Sequence, residues 1–137
     1  ILIIQIIVKF NEHISKTGGL TFENRIQVIT ADLKEVPLVL EPYARSPLKQ
    51  KNDEVPIVLA GVSAVWSLWM SRDLFPDDKL LKPHCVQILC ILKLLRFSKG
   101  IYRPIKQLCE VLTGQGKFLI LGLMSAVMAL ISYDVKL

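Results

Sequence analysis

The residues best suited to chemistry in this chain are Leu112-Thr113-Gly114-Gln115-Gly116-Lys117, between a strand-like apolar run and a helix-like one. Glycines let the backbone turn its N–H groups towards an anion, a helix starting there adds more of them, and a lysine adds a full positive charge. The chemistry this predicts is phosphate binding. Measured against the pattern GxxxxGK[ST], the match is partial, because Val111 stands at the first glycine position and Phe118 at the final hydroxyl position. The competing reading of the same residues is a plain strand-to-helix turn with a surface lysine.

Positioning such a turn requires a strand before it and a helix after it. Ile105–Val111 reads as a strand buried on both faces, Lys117 to about Ser132 as a helix, and Val135-Lys136-Leu137 as the start of a second strand. That order is the opening of a βαβ unit. Upstream, Ile1–Phe10 is so rich in β-branched residues that strand and buried helix fit equally well. Gly18-Gly19 marks a turn. Thr21 then caps a helix carrying Phe22, Ile26, Ile29 and Leu33, with Asn24 at the capping-box position, and Val36-Pro37 ends it.

Pro42, Pro47 and the polar cluster Lys49–Glu54 predict a loop, and Asn52 or Asp53 caps a helix with Pro56 in its first turn. This helix runs to about Met70 and carries Trp66 and Trp69 as core anchors. After the loop Arg72–Lys82, Pro83 opens a helix over His84–Phe97 with Val86, Leu89, Cys90 and Leu94 on one face.

A chain of 137 residues supports one compact domain, and its opening on Ile1 reads as a cut from something longer. With 52% hydrophobic residues and a mean hydropathy of +0.45, membrane insertion has to be weighed. The longest uncharged runs, Val55–Ser71 and Phe118–Tyr133, sit at or below the roughly 17–25 residues a spanning helix needs. Buried core helices are the expectation for both. Cys85, Cys90 and Cys109 form no CxxC pair, so buried free thiols in a reducing compartment are expected, with no zinc site and no disulfide framework. The recurrent basic residues Lys93, Arg96, Lys99, Arg103 and Lys106 are interrupted by Gly100 and Pro104 and read as a solvated connection.

A second stretch extends the meaning of the turn. Leu81-Lys82-Pro83-His84-Cys85-Val86-Gln87-Ile88-Leu89, followed by Leu108-Cys109-Glu110-Val111 and the glycine turn, resembles the ATPase core of the SecA protein-translocation motors. That family carries a Pro-x-x-x-Gln helix and then a strand ending in Thr-Gly-Glu-Gly-Lys-Thr/Ser. The resemblance is to divergent SecA-like domains of large eukaryotic proteins and covers Val55 to Leu137, with Val36–Tyr43 as a looser extension.

The resemblance implies an α/β fold: the start of a RecA-like P-loop parallel sheet, preceded by a helical N-terminal segment. It divides the chain into a lead-in over 1–54 and the beginning of a nucleotide-binding domain over 55–137. ATP is the implied cofactor. Gln87 would read the adenine edge, Thr113, Gly114, Gln115 and Gly116 would wrap the phosphates, and Lys117 would neutralise the β- and γ-phosphates. Implied partners are an unfolded polypeptide or a translocation component, in the cytoplasm with peripheral membrane contact, and no specific nucleic acid.

Two departures weaken catalysis. Phe118 replaces the hydroxyl that would ligate Mg²⁺, and Gln115 replaces a glutamate. No Asp-Glu box follows the turn, so the chain by itself is expected not to turn over ATP, and no catalytic residue is assigned. Two other functions remain open: a degenerate nucleotide-binding or helical scaffold module, and a membrane-embedded helical subunit.

Overall fold

A computed structural model describes residues 2–40, 48–72, 80–95, 110–111, 114 and 116–131. Among these the secondary structure is helical throughout: α1 Leu2–Lys16, α2 Phe22–Lys34, α3 Pro37–Leu40, α4 Leu48–Met70, α5 Cys85–Leu94 and α6 Lys117–Leu130. The expected α/β fold is therefore corrected to an all-helical one. No strand occurs among the described residues, and Glu110 and Val111, the described end of the expected strand over 105–111, have no regular structure. The rest of that strand and the one expected at 135–137 lie outside the described residues. The physical reason lies in the apolar runs. Those at 2–16, 53–70, 85–94 and 117–130 all close as helices, whose backbone hydrogen bonds are internal, whereas a strand needs a neighbour to pair with.

Helix α4 is the axis of the molecule, packed by α1, α2, α3 and α6, while α5 pairs with α6 and touches α1. Its stretch Asp53–Met70 is long and apolar enough to cross a membrane on length and composition, yet 61% of it is buried against the other helices. This is the core role expected of Val55–Ser71. Val55, Val58, Leu59, Ala60 and Ala64 are fully enclosed. Gly61 lies where α2 presses closest, since a β-carbon there would collide with Leu33. The helix also runs straight through position 54, where the lead-in was expected to end.

Helix α4 starts earlier than the prolines suggest. Leu48, rather than Asn52 or Asp53, opens it, so Lys49–Glu54 is helical and Pro56 sits inside the helix instead of in its first turn. Pro56 removes one N–H donor and crowds the carbonyl one turn earlier, and burial of the helix around it, with Val55, Val58 and Leu59 enclosed, offsets that cost.

The ambiguity at the N-terminus resolves as helix. Ile6, Phe10, His13 and Thr17 are all buried, a spacing of three and four that only a helix places on one face. Helix α2 begins as its sequence predicts, with the Thr21 hydroxyl accepting from the Asn24 N–H at 3.2 Å. Helix α5 is shorter than expected and turned on its axis. It buries Gln87, Ile88, Ile91 and Leu92, while Val86 and Leu89 face solvent. An almost wholly apolar helix carries little periodicity from which its buried face could be read. Trp69 is likewise no core anchor: it is 54% exposed, tilted against Phe22 at 5.6 Å with the Arg72 guanidinium 5.1 Å above its ring.

Candidate phosphate turn at the start of helix α6

Helix α6 begins at Lys117, as the sequence predicts, and Gly116 is its N-cap in a left-handed conformation at φ +75°. Gly114 also has positive φ, +87°. For an L-residue such conformations cost about 1–2 kcal/mol, which is why glycine occupies these positions. Having no side chain, Gly116 cannot cap the helix, and the first-turn N–H groups of Lys117, Phe118 and Leu119 have no intrahelical acceptor. They form a concentrated patch of donors at the positive end of the helix dipole. Lys117 is exposed beside them.

Gln87 reaches this turn from α5. A β-carbon on Gly116 would collide with the Gln87 side-chain amide, so the two sequence motifs, 29 positions apart, are in direct apposition. The glutamine is 7% exposed, and its Oε1 accepts from the His84 backbone N–H at 2.8 Å, closing the N-terminus of α5. His84 is the N-cap residue of α5, the structural role its position suggests. Thr113 and Gln115 lie outside the described residues. Of the six candidate site residues, the structure thus brings Gln87 and Gly116 together and leaves Gly114, Gly116 and Lys117 open to solvent.

Phe118 is 90% exposed. A phenyl ring offers no oxygen to a metal, and the described residues contain no group of three or more His, Cys, Asp or Glu able to hold one. What the turn can do chemically is accept an anion through backbone N–H groups and one ammonium. Comparison with protein-family profiles, with curated proteins and with solved structures returned no match.

Sequence reasoning missed two polar features. The first joins α1 to α2. Thr17, fully buried, donates its hydroxyl to the His13 carbonyl at 2.7 Å and accepts from Arg25 Nε at 3.1 Å, while Arg25 Nη2 donates to the Ile14 carbonyl at 3.1 Å. Beside it His13 is 4% exposed, with Nδ1 3.9 Å from an Asp32 carboxylate that Lys16 also holds at 2.6 Å. Burial, reinforced by Lys9, keeps His13 below its ordinary value, and Asp32 opposes that shift. An arginine interrupting the apolar spacing of α2 was the available signal. The second feature is the buried serine row of Ser63 and Ser67 on α4 and Ser71 just past its end, signalled by hydroxyls four apart inside an apolar run. Cys85, expected to be buried, is exposed, Cys90 is half-buried, and Cys109 lies outside the described residues.

Proposed function

We propose that the turn Thr113–Lys117 binds the phosphates of an adenine nucleotide, and that the chain is the nucleotide-binding portion of a SecA-like protein-translocation motor. The carrying observation is the apposition of Gln87 and Gly116 at the uncapped start of α6. In the resemblance these two motifs serve one ligand, and contact between them is what one site requires. Anion binding here needs no sheet, because the donors are the first N–H groups of a helix and one lysine. With Phe118 at the metal-ligand position, binding is magnesium-independent and the chain does not hydrolyse ATP. Its role in polypeptide movement follows from the resemblance alone, with an unfolded polypeptide as the partner.

Titration with a fluorescent ATP analogue, with and without Mg²⁺, tests the reading. Saturable binding that is insensitive to magnesium and weakened about tenfold in Lys117→Ala is the expected result. A folded chain that binds no nucleotide, or binds it equally well as Lys117→Ala, overturns it.

A further inference from the structure

A separate cavity lies on another side of α5, where α1, α4 and the approach to α5 meet. It has a volume of about 230 Å³ and is walled mainly by Ile6, Phe10, Pro83 and Ile88. Three polar side chains, Asn11, Ser63 and Lys82, break this apolar lining. Ser63 stands in the wall 1% exposed, and its Oγ has no hydrogen-bond partner. A buried hydroxyl without a partner is costly and rare in a folded protein, and it marks a place where an acceptor is wanted. Lys82 also lines the cavity, no acidic side chain does, and among the described residues Lys82 makes no ion pair. The cavity therefore combines an apolar wall, one ammonium, the Asn11 side-chain amide and one orphaned hydroxyl donor.

We propose that this cavity binds a medium-chain alkyl carboxylate. Its two oxygens accept from the Lys82 ammonium and the Ser63 hydroxyl, and its chain covers Ile6, Phe10 and Ile88. The size fits: an apolar cavity of about 150 Å³ holds benzene, so this one has room for a ligand somewhat larger. The charge selects sign, since a cation at a wall without carboxylates repels an amine and attracts an acid. Cys85, exposed on the cavity rim, reports occupancy through its reactivity.

The experiment uses the full 137-residue chain with octanoate as probe and octylamine as its charge-reversed control. Calorimetric titration is expected to give saturable octanoate binding with a Kd of roughly 1 mM or tighter, the range open to a ligand of this size. Octanoate should also slow alkylation of Cys85, followed peptide by peptide by mass spectrometry. Lys82→Glu, a surface change, should weaken octanoate about fivefold or more and favour octylamine, as expected for reversing a partly exposed ion pair. Ser63→Leu should fill the cavity and remove both binding and protection. Absence of saturable binding overturns the proposal. So does equal affinity for octanoate and octylamine, or octanoate binding unchanged in folded Lys82→Glu.

Discussion

Two helix ends in this molecule meet a polar side chain from a neighbouring helix, and they are finished in opposite ways. At the end of α1, Arg25 reaches over from α2, donates to the Ile14 carbonyl and to the Thr17 hydroxyl, and is 8% exposed. The local carbonyls and hydroxyl are satisfied, and a cation sits where the helix dipole is negative. At the start of α6, Gln87 reaches over from α5, but its oxygen is turned back to His84, and among the described residues the first N–H groups of α6 have no side-chain cap. The first junction is closed and works as a structural joint. The second leaves donors and a lysine exposed, and such groups can answer to a ligand. Polar side chains at a helix end therefore mark a site only where they leave hydrogen-bonding capacity unspent.

Breaking the closed junction should have the largest effect. Arg25→Met leaves the Ile14 carbonyl and the Thr17 hydroxyl short of a donor, and a loss of about 3 kcal/mol is expected. Urea unfolding measures it, and a cost near zero would remove the contrast between the two junctions. Next comes Gly116→Ala, which combines positive-φ strain with a collision against Gln87, for a cost of about 2 kcal/mol. Part of that cost should vanish in a Gln87→Ala background. Strict additivity in the double-mutant cycle would mean that the two motifs do not touch.

Lys117→Ala should leave stability within about 0.5 kcal/mol, being exposed, and reduce nucleotide affinity about tenfold. Thermal melts and the titration separate these two readouts.

Acid should act on the closed junction through His13. Because His13 titrates below its unfolded value of 6.5, the unfolded chain takes up a proton first, so stability is lost as pH falls through and below 6.5. His13→Gln should flatten that slope in urea titrations between pH 7 and 5, and an unaltered slope assigns it to other groups. The smallest effect is expected at Phe118→Ser. With 90% of the ring in solvent, stability should move by less than about 0.5 kcal/mol, while magnesium begins to strengthen nucleotide binding.

Where the chain writes local chemistry, the fold was legible. The Thr21 cap, the end of α4 at Met70, the His84 start of α5 and the Lys117 start of α6 all follow from residues that favour a helix boundary whatever surrounds it. Where the chain is apolar on every side, it was not. The run over 1–10 fits strand and helix alike, and the buried face of α5 cannot be told from a sequence with hardly a polar residue in it. The two glycines of the turn were legible as well, because their positive φ is a property of the turn itself.

By itself, then, the sequence determined the helix boundaries at Thr21, Met70, His84 and Lys117, the glycine turn and the lysine that follows it, since each depends on neighbours a few positions away. Only the tertiary structure decided that the described apolar runs become helices around α4 instead of a sheet. It alone set Gln87 against Gly116, closed Arg25 over the end of α1 and left Phe118 in water. These outcomes depend on which surfaces meet, and burial acts on whole faces without regard to direction or to distance along the chain.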